Sequence, residues 1–365
     1  MIDETIDGRY EIVRFIGEGG MGAVYEARHV ATRRRVAIKL ISEEAANDPE
    51  RLARFRVEAK AAGRIDSDHI TQVFDLGHDD ERDTPYMAME YLEGEDLEVL
   101  FERRGRLPLH LGLRIVCQAL YGLARAHEAG VTHRDIKPAN IFLSKRDNGR
   151  CVVKLLDFGI AKIRQGDALS ASSSGITSAG ILIGSPLYMS PEQTKTFKGL
   201  DPRTDVWSMG VVLYQALVGV TPFETDAGIG DLILANNTHE VNVRERAPWV
   251  PGPVAWVIEK ALTVSGKGRY QNATEMAAAV EALLPRGAEI DEVEIDAEPS
   301  PEDEELLGNT LAVAAPEPAV GGGAGVAVEV EQGVDEDEAP TRVRHSVPSF
   351  EGAPSTMPGD PLGGA

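Results

Sequence analysis

Short apolar segments, each rich in β-branched or aromatic residues and bounded by turn-forming residues, recur through the first part of the chain. Such segments are typical of β-strands. They predict strands at residues 10–16, 24–29, 35–41 and 86–91. One stretch between them differs, since residues 48–50 combine a capping aspartate, a proline and an acid, and residues 52–62 carry apolar side chains at helical spacing. The pattern predicts a small, mainly β lobe that contains one helix.

Beyond Gly94 the apolar pattern becomes helical over longer stretches. It predicts helices at residues 109–129, 203–218, 254–262 and 274–284, and short strands at residues 141–143 and 152–156. Together the two patterns predict an α+β protein in which a small, mainly β lobe and a larger, mainly α lobe enclose a cleft.

Charge and composition change after residue 285. The chain has a formal net charge of -22, and residues 286–365 contribute 19 acidic side chains but only 3 basic ones. This segment is rich in proline and glycine and has Phe350 as its only aromatic residue, so it cannot bury enough apolar surface to offset the entropy of ordering. We therefore expect a folded domain at residues 8–285 and a disordered, acidic tail at residues 286–365.

Composition also limits the partners and the location of the protein. The chain lacks a basic stripe of the kind that binds a phosphate backbone, which argues against a nucleic-acid partner. Cys117 and Cys151 are the only cysteines, so we expect no disulfide framework and a reduced, cytoplasmic setting. The N-terminus does not resemble a signal peptide, and no apolar run approaches the about 20 residues of a membrane span. A soluble protein without a membrane span is predicted.

Chemistry is concentrated in two short strings. Residues 133–140 read His-Arg-Asp-Ile-Lys-Pro-Ala-Asn, and Asp-Phe-Gly begins seventeen positions after Asn140. Phosphoryl transfer needs reactants to be positioned and spreading charge to be neutralised. Asp135 suits the proton of an incoming hydroxyl, and Lys137 suits the charge of the transferred group. Oxygen ligands suit Mg²⁺. The expected metal ligands are Asn140 and Asp157.

A second pair of strings lies upstream. Glycines at 17, 19 and 22 fall between two predicted strands, where missing side chains would let backbone N–H groups approach phosphates. Alone, this motif fits a plain hairpin better than a phosphate site, and its strand-turn-strand context argues against a dinucleotide site. Lys39 lies in an apolar strand and therefore needs an acidic partner and an anionic ligand. Glu58 on the predicted helix is the candidate partner. The alternatives are an edge-strand lysine and a solvated glutamate.

Together these motifs resemble a eukaryotic-type serine/threonine protein kinase, in particular the bacterial branch with Gly-Gly-Met-Gly in its phosphate loop. The resemblance covers residues 8–285 and implies the bilobal kinase fold, with an N-lobe at about 8–89, a hinge at 90–94 and a C-lobe at about 95–285. It implies ATP and Mg²⁺ as cofactors and Ser/Thr hydroxyls of proteins as acceptors, with tyrosine as the lesser alternative. The resemblance makes Met89 the gatekeeper. The nucleotide-binding residues it implies are Ile16, Gly17, Glu18, Gly19, Gly20, Met21, Gly22, Val24, Ala37, Lys39, Met89, Glu90 and Leu92.

The resemblance extends into the C-lobe, with two departures. Residues 190–192 read Ser-Pro-Glu and resemble the family's Ala-Pro-Glu, so Glu192 is expected to pair with Arg269. Asp205 is expected to anchor the backbone of the catalytic loop. Ser185 stands where the family usually has threonine, and the region around Arg269 lacks the customary proline.

Regulation is predicted on the loop before Ser185. Thr177 and Ser178 are the candidate phosphorylation sites, and a phosphate there would pair with Arg134 and order the loop. The alternative is a flexible linker. In the tail, Thr310 and Thr341 would give a phosphorylation-dependent docking site, or the tail would be a solvated tether.

Two other functions compete with protein phosphorylation. A pseudokinase scaffold should have lost one of Lys39, Asp135 and Asp157, and all three are present. A small-molecule kinase is disfavoured because the Ser-Pro-Glu string and the long loop before it are features of kinases that act on peptides.

Overall fold

The structure is a computed structural model that describes residues 2–19, 22–157, 185–195, 199–223 and 228–297. All of these residues lie in the first of two units of the chain, residues 1–317. Within them, no helix has the length and apolar character needed to cross a membrane.

The N-terminal lobe is built on an antiparallel sheet of six strands in the spatial order β1-β2-β3-β4-β6-β5. The strands predicted from the sequence are all present, and β1 and β5 are additional because their apolar residues are too few to stand out. The strands are β1 Thr5–Ile6, β2 Tyr10–Gly19, β3 Gly22–His29, β4 Arg35–Ile41, β5 Val73–Asp79 and β6 Thr84–Glu90.

Two helices lie between β4 and β5: α1 Glu43–Ala46 and α2 Pro49–Ala62. The second is the predicted helix, with its proline at the first position. Its side chains Phe55 and Ala59 are buried in a cluster with Ile41 and Met87 of the sheet. Burial of this apolar face, rather than helix propensity, holds α2 against the sheet.

The C-terminal lobe is mainly helical. Its long helix α4 is amphipathic and packs against the almost wholly buried α5, where Gly112 of α4 lies next to Leu217 of α5. A stacked pair of rings, Trp207 and Phe223, fills the core beside α5. The helices are α3 Leu97–Arg104, α4 Leu109–Glu128, α5 Arg203–Val218, α6 Ile229–Thr238, α7 Val243–Arg246, α8 Gly252–Ala261, α9 Ala273–Glu281 and α10 Glu292–Asp296.

A second antiparallel sheet lies in the C-terminal lobe, in the order β10-β9-β8-β7. Its inner strands adjoin the predicted site residues, because residues 133–140, the predicted catalytic loop, lead into β8 and Asp157 follows β9. Short 3-10 turns are found at Pro138–Asn140 and Ser185–Tyr188. The strands are β7 Gly94–Asp96, β8 Ile141–Lys145, β9 Arg150–Leu155 and β10 Ile290–Asp291.

The C-terminal boundary differs from the sequence-based expectation, which began the tail at Arg286. Strand β10 pairs with β9, and α10 follows it directly. Ile290 and Ile295 are buried in the core of the C-terminal lobe. The acidic side chains of this segment, which made it look like a tail, pair with basic residues of the lobe, as Glu294 does with Arg114 at 2.7 Å.

Candidate active site

A cleft with a cavity volume of about 170 Å³ lies between the two lobes. The N-terminal lobe bounds the cleft on one side, and β8 and β9 bound it on the other side and form its floor. The segment after β6 closes it between them. Of the predicted nucleotide-binding residues, the cleft is lined by Ile16, Val24, Ala37, Lys39, Met89, Glu90 and Leu92.

The glycine-rich hairpin joins β2 and β3 at the cleft's edge, and its glycines differ in role. A Cβ at Gly17 would meet open space, which leaves room for a ligand. A Cβ at Gly22 would overlap the carbonyl oxygen of Leu40, and Gly22 has a φ of +148°. Gly22 is therefore needed for the packing of β3 on β4 as well as for the turn. Gly20 and Met21 lie outside the described residues, and Glu18 and Gly19 end β2.

Lys39 projects from the central strand β4 and is 8% exposed. Its Nζ donates to Oδ2 of Asp157 at 2.9 Å, so two residues 118 positions apart in sequence meet in the cleft. The carboxylate compensates the ammonium in this poorly solvated place. The predicted partner Glu58 is on α2, and its side chain lies outside the described part of the chain.

The catalytic loop brings Asp135, Lys137 and Asn140 together. Nζ of Lys137 lies 3.4 Å from Oδ2 of Asp135. Nδ2 of Asn140 donates to the backbone oxygen of Asp135 at 2.7 Å and to its Oδ2 at 3.2 Å. The Asp135 carboxylate is thus oriented from two sides. The side chain of Asp135 is 15% exposed.

His133 links the catalytic loop to the strand that ends at Asp157. Its ring is fully buried, with Nε2 2.8 Å from the carbonyl oxygen of Leu156. Burial lowers the pKa of His133, against the opposing charge of Asp205 and the hydrogen bond to Leu156. A neutral ring that donates through Nε2 suits this position, where His133 has a structural role.

Asp205, near the start of α5, holds the backbone of the catalytic loop. Its two carboxylate oxygens accept from the N–H groups of His133 at 2.8 Å and Arg134 at 2.7 Å. Oδ2 also lies 2.9 Å from Nε2 of His127, a partner that the sequence analysis did not name. The anchor is completely buried, so these hydrogen bonds do not compete with water.

Glu192 and Arg269 form a bidentate ion pair, with Nη1 donating to Oε1 at 2.7 Å and Nη2 to Oε2 at 3.0 Å. Burial would raise the pKa of Glu192, but the hydrogen bonds and charge of Arg269 outweigh it and hold the pKa below its ordinary value. The loop around Arg269 supports this geometry without the family's usual proline, because Arg269 also donates to the carbonyls of Thr263 and Val264.

Glu90, at the end of β6, pairs with a buried lysine of the C-terminal lobe. Its Oε2 lies 2.7 Å from Nζ of Lys154 on β9, a lysine whose side chain is 1% exposed. Nζ also lies 3.4 Å from the carbonyl oxygen of Ile70. The pair therefore connects the segment between the lobes to the floor of the cleft.

Six residues that line the cleft were not assigned from the sequence. Three of them could have been predicted because they lie close to a motif in sequence. Leu155 and Leu156 directly precede Asp157, and Phe142 follows Asn140 by two positions on a strand. The other three belong to no motif: Thr71 lies just before β5, Val73 begins β5 and Met87 lies within β6. The six residues are Thr71, Val73, Met87, Phe142, Leu155 and Leu156.

Several predicted residues cannot be located. Thr177 and Ser178 lie outside the described residues, as do Phe158 and Gly159 of the metal loop, and Thr310 and Thr341 of the tail. Ser185 is described as the start of a 3-10 turn, but its side chain is not.

The donor set suits a magnesium nucleotide. The predicted metal ligands Asn140 and Asp157 both carry side-chain oxygens, the donors that Mg²⁺ prefers. The described residues contain no cluster of three or more acidic, histidine or cysteine side chains that could hold a metal ion. Mg²⁺ usually retains water and binds one or two protein carboxylates together with substrate phosphates. The residues present therefore fit this ion when a nucleotide brings the other ligands.

Comparison with known proteins agrees with the geometry. The family model of the protein kinase domain matches residues 10–277. Serine/threonine-protein kinase pkn3 of Myxococcus xanthus is 41% identical over 229 residues, which are 63% of this chain and 41% of that protein. Serine/threonine-protein kinase PrkC of Bacillus subtilis is 35% identical over 285 residues, 78% of this chain and 42% of that protein.

A solved structure is similar as well. The crystal structure of the Mycobacterium tuberculosis PknI kinase domain has a TM-score of 0.57 and 26% sequence identity, covering 77% of this chain and 98% of that one. The bilobal kinase fold expected from the sequence is thereby confirmed. The chain spans about two fifths of the length of the two curated relatives.

The chain belongs to the protein kinase family, since the family model covers well over half of its length. Its relatives place the domain among the bacterial serine/threonine kinases, so the resemblance stated from the motifs is confirmed. Members of this family use ATP and a divalent metal ion.

Proposed function

We propose that the protein transfers the γ-phosphate of ATP, with Mg²⁺, to serine and threonine hydroxyls of proteins, including its own loop before Ser185. One observation carries the proposal, the convergence of two groups of residues. Lys39 of β4 meets Asp157, which follows β9, in the cleft. Asp135, Lys137 and Asn140 meet within residues 133–140, a segment that His133 joins to Leu156, the residue before Asp157. A scaffold without catalysis has no need for this convergence.

Each residue has a chemical task in this proposal. Mg²⁺ and the nucleotide supply the phosphoryl group and most of its charge neutralisation when bound. Asp135 accepts the hydrogen bond of the incoming hydroxyl at Oδ1 or Oδ2 and aligns its oxygen for attack. Lys137 lies beside that carboxylate, where its ammonium balances the charge of the moving phosphoryl group. Lys39 binds the phosphates that remain on the nucleotide, and Asp157 and Asn140 would hold the metal.

Arg134 supports regulation by phosphorylation of the loop. Burial lowers the pKa of its guanidinium, an effect that Asp205 opposes. Within the described residues its Nε is buried without a hydrogen-bond partner. A phosphate on Thr177 or Ser178 would provide the missing charge and acceptors and order the loop.

The proposed location is the cytoplasm. Cys117 and Cys151 are both free and buried in the described structure, and burial raises the pKa of each thiol to about 11. Such thiols are unreactive packing groups of the kind found in reducing compartments.

A partner that binds the tail after phosphorylation of Thr310 or Thr341 is a further proposal. Loss of partner recovery on deletion of residues 298–365 would support it.

Transfer of labelled phosphate from ATP to a generic protein substrate tests the activity, with Asp135→Asn as the inactive control. We expect incorporation into serine and threonine, dependent on Mg²⁺ and reduced at least a hundredfold in the variant. Phosphate found only on a small molecule, or equal incorporation by both proteins, would refute the proposal. Mass spectrometry of the wild type after incubation with ATP tests the loop sites, and no phosphate at residues 170–178 in an active preparation would exclude them.

A further inference from the structure

The backbone of the catalytic loop is held by side chains from three different elements. Asp205 of α5 binds the N–H groups of His133 and Arg134, and Asn140 binds the carbonyl oxygen of Asp135. The carbonyl oxygen of Arg134 accepts from Nε2 of Gln193 at 2.9 Å. The last of these bonds comes from the residue that directly follows the Ser-Pro-Glu string, a feature of kinases that act on peptides.

Arg134 needs such support because its backbone is in the left-handed region, with a φ of +66°. A residue other than glycine in this region costs about 1–3 kcal/mol and persists only where its surroundings determine it. Rotation of the peptide between Arg134 and Asp135 would move the catalytic carboxylate. Asp205 holds the N–H before this peptide, and Gln193 holds its carbonyl oxygen.

Gln193 is itself held firmly. Its side chain is 3% exposed, and its Oε1 accepts from the N–H of Ser190 at 3.0 Å. Helix α6 supports the same turn through Asn236, which donates to the carbonyl oxygen of Met189 at 3.1 Å, and through Asn237, which donates to Oγ1 of Thr194 at 3.0 Å. Both ends of the Gln193 amide are thus hydrogen-bonded, since Oε1 accepts from Ser190 and Nε2 donates to Arg134. These two bonds fix the orientation of the amide.

We propose that Gln193 is a positioning residue for phosphoryl transfer: its amide fixes the Arg134–Asp135 peptide and couples the substrate-side turn at residues 190–194 to the orientation of Asp135. The proposal rests on the proposed kinase activity. Because Gln193 does not line the nucleotide cleft, its loss acts on the transfer step and leaves nucleotide binding intact.

The chain offers a matched control in Gln118. This glutamine is also buried, its Nε2 donates to the carbonyl oxygen of Ala288 at 2.6 Å, and its Oε1 accepts from the N–H of Val153 at 2.9 Å. The bonding pattern is the same, but the groups it connects, Val153 of β9 and Ala288, do not belong to the catalytic loop. Gln118→Met therefore reports the general cost of removing a buried amide.

Gln193→Met keeps the length of the side chain and removes both hydrogen bonds. Gln193→Glu, assayed at pH 8, keeps the acceptor for Ser190 and loses only the donor to Arg134. We expect kcat to fall about tenfold in both variants, as for the loss of one buried hydrogen bond, with KM for ATP within twofold of the wild type. Gln118→Met should lower thermal stability by about as much as Gln193→Met does, and it should leave kcat unchanged.

Amide hydrogen exchange of a peptide spanning residues 131–137 supplies a readout that does not need activity. Exchange should quicken about tenfold in Gln193→Met and stay unchanged in Gln118→Met. Wild-type kcat in both Gln193 variants, an equal loss of kcat in Gln118→Met, or unchanged exchange in the loop would overturn the proposal. If the wild type itself transfers no phosphate, the proposed function fails, and the exchange measurement alone decides the role of Gln193.

Discussion

Two residues of the site other than glycine have left-handed backbone: Arg134 with a φ of +66° and Asp157 with a φ of +32°. Arg134 directly precedes Asp135, and Asp157 carries its own carboxylate. Both carboxylates have a role in the proposed reaction. The strain, about 1–3 kcal/mol per residue, is offset by hydrogen bonds from fixed neighbours, Asp205 and Gln193 for Arg134 and Lys39 for Asp157. The arrangement is therefore preorganised before any ligand binds.

Lys39→Met tests the cleft at the level of a single charge. The ammonium is lost, but Asp157 is half exposed and water can solvate its carboxylate, so the protein should stay folded. We expect phosphate incorporation to fall at least a hundredfold, with little change in the temperature of unfolding. Lys145→Met, which removes an exposed lysine paired with Glu292, is the control and should retain activity. Turnover retained by Lys39→Met would contradict the assignment.

The ion pair of Glu192 and Arg269 predicts a pH dependence of stability. The pKa of Glu192 is lowered in the folded protein, so its contribution is complete above about pH 4.5, the ordinary pKa of the group, and is lost as pH falls through the lowered value. Urea denaturation should therefore show Glu192→Gln less stable than the wild type at pH 7, with a difference that narrows below pH 4.5. A difference that stays constant down to pH 3 would exclude this role.

At the scale of elements, the segment with β10 and α10 is the clearest departure from expectation. Its elements have 2 and 5 residues, too short to show a period, and five acidic residues lie within positions 289–296. Those acids pair with basic residues: Oε1 of Glu292 lies 2.5 Å from Nζ of Lys145, and Arg103 pairs with Asp296. Two buried isoleucines and a strand edge add apolar and backbone contacts.

Ile295→Asp should therefore destabilise the kinase domain. The side chain is 4% exposed, and placing an unpaired carboxylate there loses about 1.5–3 kcal/mol of apolar burial in addition to the cost of desolvation. Val293→Asp on the same helix is the control, since Val293 is 77% exposed. Equilibrium unfolding in urea measures both variants. Equal stability of the two would mean that α10 does not belong to the folded domain.

At the scale of the whole domain, the lobes are connected by more than the hinge. The N–H of Thr71 donates to the carbonyl oxygen of Leu155 at 3.0 Å, and the N–H of Leu155 donates to that of His69 at 2.9 Å. The pair of Glu90 and Lys154 lies beside these bonds. Strand β9 thus contacts the N-terminal lobe just before Asp157. The position of Asp157 therefore depends on how the two lobes are arranged.

Lys154→Met should cost about 3 kcal/mol, because it leaves the mostly buried carboxylate of Glu90 without its nearest cation. The double variant Glu90→Met/Lys154→Met should recover most of that loss, since apolar side chains of similar size replace a buried pair at little cost. Urea unfolding of the two single variants and the double variant gives the coupling energy. Additive losses would show that the pair makes no direct contribution.

The sequence by itself determined the family and the order of the main elements, and it named the candidate residues of the site. It did so because those features reside in contiguous motifs and local periods, such as residues 133–140, the strand at 35–41 and the helix at 203–218. The tertiary structure alone decided the partners: Lys39 with Asp157, Glu90 with Lys154, Gln193 with Arg134 and the acidic segment with the C-terminal lobe. These contacts join residues far apart in the chain, and their energy comes from burial and geometry that no local pattern encodes.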